Sequence, residues 1–131
     1  MKNLVIVCLF IFFKTIGQPN QQPATIDSLL TVLSQQKSSK GQIETYIQLA
    51  KQYRNIDPNV GIEYGNKGLQ LAKKTQSSDQ IASSMISLGD NYYNLGNIDK
   101  ANNLYQESLR YCKSSASFID AYIAAGKIHL S

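Results

Sequence analysis

Two side chains of this 131-residue chain have types suited to nucleophilic or acid–base chemistry: the thiol of Cys112 and the imidazole of His129. A cysteine activated by a neighbouring histidine can attack a carbonyl carbon, so a hydrolase is one function to consider. That function requires the two groups to be adjacent and exposed. Cys112 shares a helical face with Leu104 and Leu109, which predicts a buried thiol rather than a nucleophile or a site of intermolecular pairing. His129 has no visible partner, and we expect it to pack, so the chain is predicted not to be an enzyme.

Cofactor motifs are also missing from the sequence. There is no cluster of metal-ligating residues, and the glycines at Gly61 and Gly65 fall within a predicted helix with no strand before them. A phosphate-binding loop needs the strand and the turn as well as the glycines. We therefore predict no cofactor and no metal.

The first seventeen residues differ from the rest and predict a signal peptide. Lys2 precedes ten apolar residues, Leu4 to Phe13, and small residues at Thr15 and Gly17 suit cleavage before Gln18. Ten residues span about 15 Å, half of a ~30 Å hydrocarbon core, which argues against the alternative of a membrane anchor. Another alternative is a lipoprotein modified at Cys8. We expect an exported protein, periplasmic or secreted, with no membrane partner after cleavage.

The charge of the processed chain does not indicate nucleic-acid binding. Cleavage removes Lys2 and Lys14, which leaves eleven of the thirteen basic residues and all nine acidic residues. The formal charge therefore falls from +4 to +2. No basic strip with interleaved aromatic residues remains. Cys8 is lost as well, and Cys112 alone cannot form an internal disulfide.

Beyond a proline-containing spacer at 18–24, the whole chain has helical periodicity, which predicts an all-α fold. Thr25 is a candidate cap, Ser39-x-x-Gln42 and Ser117-x-x-Asp120 resemble capping boxes, and Asp57-Pro58 is typical of a helix start. Gly96 suits a helix end. The predicted helices are 25–37, 39–54, 58–75, 79–95, 97–113 and 117 to near the terminus.

The predicted helices contain an internal repeat. Tyr46-x2-Leu49-Ala50-x2-Tyr53 is followed 39 residues later by Met85-x2-Leu88-Gly89-x2-Tyr92, and 37 residues after that by Tyr122-x2-Ala125-Gly126-x2-His129. The helices between them carry Gly61, Gly65, Gly68 and Leu69 in the first unit, and Ala101, Tyr105, Ser108 and Leu109 in the second.

These residues resemble the tetratricopeptide repeat (TPR), although the units are longer than the 34 residues usual for that family. The resemblance implies an alpha-alpha superhelix, a solenoid of antiparallel helix pairs over 25–131, with units at about 40–75 and 79–114 and a partial one at 117–131. Within that family, the chain is similar to the exported repeat domains of Bacteroidetes-type sensor kinases and regulators. The three glycines of the first unit are expected to allow close approach by the preceding helix; a mobile, weakly helical segment is the alternative.

The resemblance also implies a concave groove lined by the first helix of each unit. A mixed polar surface of this kind suits an extended peptide or a protein segment, and a simply solvated face is the alternative. A clamp for a terminal carboxylate made by Lys51, Arg54, Asn94 and Lys127 is a further possibility. The groove residues are Glu44, Ile47, Lys51, Arg54, Asn55, Ser83, Ile86, Asp90, Tyr93, Asn94, Asp120, Ile123 and Lys127.

The last predicted helix lacks the polar outer face that closes a solenoid. We therefore expect a chain truncated at its C-terminus, with an apolar patch prone to self-association. Apolar residues surround most of this helix: Phe118, Ile119, Tyr122, Ile123, Ile128 and Leu130.

Taken together, the sequence predicts a non-enzymatic protein-interaction scaffold that binds a peptide or protein segment in its groove. The alternative is an N-terminal sensor fragment of a histidine kinase or of a transcriptional regulator with a TPR array.

Overall fold

The computed structural model describes residues 25–129, and within them the fold is all-α. The predicted signal peptide (1–17), the spacer (18–24) and Leu130 lie outside the described residues, as does the side chain of His129. No helix of the described part has the length and apolarity to cross a membrane. The helices are α1 (Ile26–Gln35), α2 (Ser39–Tyr53), α3 (Pro58–Lys74), α4 (Ser78–Asn94), α5 (Ile98–Ser108) and α6 (Ser115–His129).

Three of the predicted helix starts are confirmed by their caps. The hydroxyl of Thr25 accepts the N–H of Ser28, and the carboxylate of Asp57 accepts the N–H of Asn59 with Pro58 in the first turn. The side chain of Asn97 accepts the N–H of Lys100 at the start of α5. Each cap satisfies one of the amide groups that have no partner within the helix.

The two predicted capping boxes are wrong in detail. Ser38 rather than Ser39 caps α2, by accepting the N–H of Gly41 at 3.1 Å, and the side chain of Gln42 donates to the carbonyl of Gln36 instead of the cap amide. The N–H of Ser117 at the start of α6 is accepted by the hydroxyl of Ser114. The sequence pattern S-x-x-Q/D does not distinguish between adjacent serines, and both sites have serines in a run.

Helix α5 is about a turn shorter than the predicted 97–113. After Ser108 the N–H groups of Arg110 and Tyr111 bond to carbonyls three residues back, and the N–H groups of Lys113 and Ser114 bond to the carboxylate of Asp79. A carboxylate on another helix therefore takes the amides that would have continued α5.

Helices α2, α4 and α6 form one layer with their N-termini at the same end. Consecutive helices pack together, α2 also contacts α4, and α4 also contacts α6. At one end the side chain of Gln80 donates to the carbonyl of Lys40, and at the other end Asn94 donates to the carbonyl of Arg54. Among residues 25–129 no Cα atom of α3 comes within 8 Å of one in α5. The α2–α4–α6 layer is thus the continuous element of the fold.

Two apolar clusters form the core. One contains Ile43, Ile47, Ala72, Ile81 and Met85, and the other contains Ala101, Tyr105, Ala124 and Ala125. Polar side chains are also fully buried in α4, which the sequence reading did not anticipate. The Nδ2 atom of Asn91 donates to the carbonyls of Ala50 (3.0 Å) and Ser87 (2.8 Å), so this amide joins α4 to α2.

The glycines of α3 are buried in a close helix contact, but mainly with α4 rather than with the preceding helix. A Cβ atom at Gly61 would overlap the side-chain amide of Asn91, and one at Gly65 would lie 3.1 Å from Cδ1 of Leu88. At Gly68 the added atom would approach both Tyr46 of α2 and Ser84 of α4. All three glycines lie inside a regular helix and are buried.

Candidate functional site

One face of the α2–α4–α6 layer carries two adjoining cavities that share Lys51 and Ser83. The first, of about 200 Å³, lies between all three helices, and the second, of about 230 Å³, lies between α2 and α4. Nine of the thirteen residues assigned to the groove line them. The first is lined by Lys51, Ser83, Ile86, Asp90, Asp120, Ile123, Ala124 and Lys127, and the second by Glu44, Ile47, Gln48, Lys51, Asp79, Gln80 and Ser83.

These nine residues occupy the same three helical positions on each helix, at the repeat spacings of 39 and 37. The middle position is isoleucine in all three helices, polar or acidic residues lie on its N-terminal side, and charged residues lie on its C-terminal side. Because the helices are parallel, the side chains of each position form a row across the layer. The rows are Glu44, Ser83 and Asp120; Ile47, Ile86 and Ile123; and Lys51, Asp90 and Lys127.

The isoleucine row exposes an apolar strip on α4 and α6 only, because its member on α2, Ile47, belongs to the core. Ile47 is buried, Ile86 is half-buried, and Ile123 is 57% exposed. The outer rows are about 10 Å apart along the helices, because seven residues separate Glu44 from Lys51 at 1.5 Å each. A strip of this width fits the body of one peptide segment, with polar groups along both of its edges.

Asp90 is the electrostatic centre of the face. Its carboxylate is 12% exposed and accepts from Arg54 at 3.2 Å, from Lys127 at 3.3 Å and from the phenol of Tyr105 at 2.7 Å. These donors come from the end of α2, from α6 and from α5. One carboxylate therefore ties three elements to α4, and charge-assisted hydrogen bonds of this kind are among the stronger ones.

The phenol of Tyr105 stays neutral in this arrangement. Burial raises its pKa well above the ordinary value, and the hydrogen bond to the Asp90 carboxylate raises it further. A neutral phenol can donate to the carboxylate, whereas a phenolate would repel it. Tyr105 thus positions Asp90 rather than serving as an acid or base.

Lys51 is the groove cation that remains available to a ligand. Its side chain is exposed and lines both cavities. Among the ion pairs of residues 25–129, the cations of this face that bind Asp90 are Arg54 and Lys127, and Lys51 takes part in none. An incoming carboxylate would find its amine without displacing an internal partner.

Four predicted groove residues lie outside the two cavities. Arg54 binds Asp90, and the side-chain amide of Asn94 donates to the carbonyl of Arg54 and to Oδ1 of Asn55. Tyr93 is half-buried and packs on the cluster that contains Tyr105. Three of the four clamp candidates, Arg54, Asn94 and Lys127, are thus engaged within the chain, so this geometry does not favour a carboxylate clamp.

Asp79 lines the second cavity and was not among the predicted groove residues. Its carboxylate accepts the hydroxyl of Ser117 at 2.6 Å and the N–H groups of Lys113 and Ser114. These bonds, with the Ser117 hydroxyl first, lower the pKa of Asp79 from 3.8 to about 2. Asp79 therefore stays ionised while it holds the start of α6 against the start of α4.

The other lining residues missed by the sequence reading are Gln48, Gln80 and Ala124. Gln48 is four residues after Glu44, and Gln80 is three residues before Ser83, so both share a helical face with a predicted residue. A wider strip of each helical face would have included them. Ala124 follows Ile123 on the neighbouring face, and no feature of the sequence marks it.

Cys112 lies in the segment before α6, and His129 is the last residue of that helix. The sulfur of Cys112 is half-buried, not fully buried as predicted, and lies 3.3 Å from the carbonyl oxygen of Ser108 and 3.2 Å from that of Ser117. His129 follows Ser117 by twelve residues of α6, about 18 Å along the axis. Among residues 25–129 no group of three His, Cys, Asp or Glu side chains is arranged to hold a metal ion.

Comparison with known proteins adds no identification to this geometry. No family model, no curated protein and no solved structure matches the chain significantly. The residues themselves are therefore the basis for any functional proposal.

Proposed function

We propose that the chain is a non-enzymatic interaction scaffold that binds a peptide or protein segment on the α2–α4–α6 face. The observation that carries the proposal is the pair of accessible isoleucines, Ile86 and Ile123, which lie side by side on parallel helices between a polar row and a charged row. An apolar strip with hydrogen-bonding groups on both sides matches the main requirements of a polypeptide ligand, which presents apolar side chains, amides and charges together.

The arrangement of helices supports a repeat solenoid similar to TPR arrays. The two units repeat the order of helices, and α2, α4 and α6 lie side by side in parallel. In such an array each unit adds one helix to a continuous face, so the binding surface grows with the number of units. The leader-like residues 1–17 support an exported location, periplasmic or secreted.

The charges on the face indicate which ligands it prefers. On the N-terminal side of the isoleucine row lie Glu44, Asp79 and Asp120, while Lys51 lies on the opposite side. The Asp90 carboxylate already forms ion pairs with Arg54 and Lys127. We expect a segment with an acidic group that reaches Lys51 and an apolar side chain that covers Ile86 and Ile123.

A displayed library of random twelve-residue peptides, selected on the full chain, tests the proposal. The affinity of each selected peptide, carried as a fluorescent probe, is then measured for Lys51→Glu and for Lys73→Glu, a matched control at an exposed lysine of α3. We expect Lys51→Glu to weaken binding at least tenfold, because it replaces the available cation of the groove with an anion. Lys73→Glu should leave the affinity within twofold.

Two results would count against the proposal. One is a selection that yields no peptide with saturable binding. The other is a set of peptides whose affinity is the same for Lys51→Glu and for the unmodified chain. Lys51 is exposed and unpaired among the described residues, so the substitution should leave the helical circular dichroism unchanged.

A further inference from the structure

The first cavity contains one cation and one anion that have no ion-pair partner among residues 25–129. Asp90 and Lys127, which also line it, are bound to each other at 3.3 Å. Lys51 and Asp120 line the same cavity and are both exposed, and neither takes part in an ion pair within the described part of the chain. The cavity therefore presents one positive and one negative group to a ligand.

These two groups lie on opposite sides of α4. Lys51 is on α2 and Asp120 is on α6, and among the described residues no Cα atom of α2 comes within 8 Å of one in α6. Lys51 belongs to the row on the C-terminal side of the isoleucines and Asp120 to the row on the N-terminal side, so the line between them crosses α4 near Ile86. A ligand that reaches both charges therefore runs across the helices, with its apolar part over Ile86 and Ile123.

The second cavity offers a different anion, Glu44, but fits the same ligand less well. Glu44 and Lys51 are both on α2, so a ligand bound to these two groups would lie along one helix. The isoleucine between them, Ile47, is 5% exposed and belongs to the core. The accessible isoleucines line the first cavity instead. Apolar contact therefore favours a ligand that crosses α4.

The separation of the two groups sets the length of the ligand. Packed helix axes are roughly 8–10 Å apart, so about 16–20 Å separates the axes of α2 and α6, and the lysine and aspartate side chains span only part of it. A free amino acid carries both of its charges on one carbon atom and is too short to bridge the rest. An extended chain advances about 13 Å in four residues, and its alternate side chains point to the same side. Charged residues at i and i+4 with an apolar residue at i+2 therefore match the cavity.

We propose that the groove selects segments with opposite charges four residues apart, which bind with the acidic side chain on Lys51, the basic side chain on Asp120 and the apolar side chain over the isoleucines between them. The inference rests on the proposed peptide-binding function and assigns Asp120 as a residue that determines its specificity. A segment with like charges at the two positions would place one of them against a group of the same sign. The order of charges in the ligand thus fixes the direction in which it crosses from α2 to α6.

Peptides selected on the full chain from the random twelve-residue library test the proposal. We expect them to share an acidic and a basic residue four positions apart, with an apolar residue midway. Asp120→Lys should weaken their binding at least tenfold, because it reverses the charge that the basic residue meets. A peptide in which that basic residue is replaced by glutamate should bind Asp120→Lys at least fivefold more tightly than the original peptide does, and should bind the unmodified chain more weakly.

Two variants serve as controls for this exchange of charges. Glu63 of α3 is exposed and, like Asp120 in α6, is the sixth residue of its helix, so Glu63→Lys should leave the affinity within twofold. Glu44→Lys reverses the carboxylate of the second cavity, and we expect the glutamate-substituted peptide to gain no affinity for it. A gain with Glu44→Lys and none with Asp120→Lys would overturn the crossing of α4.

The outcomes separate this inference from the proposed function. Peptides that lose affinity for Lys51→Glu but bind Asp120→Lys as tightly as the unmodified chain would overturn the inference and leave the proposed function standing. A selection that yields no saturable binder would overturn both. Since Asp120 is exposed, Asp120→Lys should retain the helical circular dichroism of the parent chain, and recovered binding of the glutamate-substituted peptide would show directly that the variant is folded.

Discussion

Helix α4 packs against both α3 and α5, but α4 supplies the large side chains in the first interface and the small residue in the second. Against α3, the small residues Gly61 and Gly65 are on the outer helix, and Asn91 and Leu88 of α4 supply the bulk. Against α5, the small residue is Gly89 of α4, and Tyr105 of the outer helix supplies the bulk. The helices approach closely in both cases.

The difference shows that these two helix pairs reach close packing through the sum of the two facing volumes. Gly65 and Tyr105 occupy equivalent positions 40 residues apart, yet one lacks a side chain and the other has the largest fully buried side chain of the described residues. Since protein interiors are close-packed, a substitution on one helix is tolerated only if the facing position compensates. The same difference adds a polar function to the second unit, because the Tyr105 phenol reaches Asp90.

Of the substitutions that test this comparison, Tyr105→Ala should reduce the free energy of unfolding most. It removes a fully buried ring from above Gly89, and nothing else fills the space, so the free energy of unfolding should fall by about 3–5 kcal/mol. Tyr105→Phe keeps the ring and loses only the bond to Asp90, for a loss of about 1.5–3 kcal/mol. Urea unfolding followed by circular dichroism measures both. A loss below 1 kcal/mol for Tyr105→Ala would show that the second interface does not depend on the ring.

An exchange at a second pair of equivalent positions sharpens the comparison. Gly61→Ala places a methyl group on the buried amide of Asn91 and should destabilise the fold by about 1–3 kcal/mol. On a free helical surface the same change would stabilise by up to about 1 kcal/mol. The reverse change in the second unit, Ala101→Gly, should cost about 1–2 kcal/mol through helix propensity and a lost buried methyl group. Thermal unfolding of the two variants decides the point, and a stabilised Gly61→Ala would contradict close packing at this interface.

The residue that follows the C-terminal end of the helix in the left-handed conformation differs between α3 and α4. This difference predicts a smaller change in the free energy of unfolding, and in one variant a gain in stability. Both ends carry the same pair of closing hydrogen bonds, but the left-handed residue is Gly96 after α4 (φ 79°) and Gln76 after α3 (φ 54°). A side chain in this conformation costs roughly 1–2 kcal/mol. Gln76→Gly should therefore stabilise the fold by about 1 kcal/mol, and Gly96→Ala should destabilise it by a similar amount. A destabilised Gln76→Gly in urea unfolding would show that the Gln76 side chain contributes contacts worth more than the strain.

The smallest effect concerns the start of α6, which is held by Asp79, whereas the start of α4 has no side-chain cap. The pKa of Asp79 is lowered from 3.8 to about 2 by the Ser117 hydroxyl and by the N–H groups of Lys113 and Ser114. The ionised carboxylate therefore stabilises this joint above about pH 4, and the contribution falls as the pH drops from 3.8 to about 2. The amide resonances of Ser114 and Ser117 should shift with a midpoint near 2. Asp79→Asn should abolish this transition, and a midpoint near 4 would refute the assignment.

The sequence predicted the helices well because each carries a strong local pattern. Thr25, Asp57-Pro58 and Asn97 are caps that act within one turn, so their effect is visible in neighbouring residues. The end of α5 could not be predicted, since it depends on Asp79, which lies 34 residues before Lys113. The same reason explains why the preceding helix was predicted to approach all three glycines of α3, although only Gly68 contacts it. A stripe of small residues shows that a helix is close, but not which one.

The groove residues on α2, α4 and α6 were brought together because repeat spacing assigns one helical position to each unit. What spacing cannot reveal is how the side chains pair. Lys51, Asp90 and Lys127 occupy equivalent positions, yet Asp90 binds Lys127 and not Lys51. The other donors to Asp90 are Arg54 and Tyr105. The difference between an available lysine and an engaged one depends on contacts between units.

The buried amide of Asn91 has a consequence for how the units stay aligned. The nearest wrong register of two packed helices displaces one along the other by a turn, about 5.4 Å. Such a slip would move Asn91 away from the carbonyl of Ala50 and break the buried hydrogen bond between α4 and α2, although the bond from Asn91 to Ser87 within α4 would remain. One carboxamide therefore holds α2 and α4, the first two helices of the layer, in register.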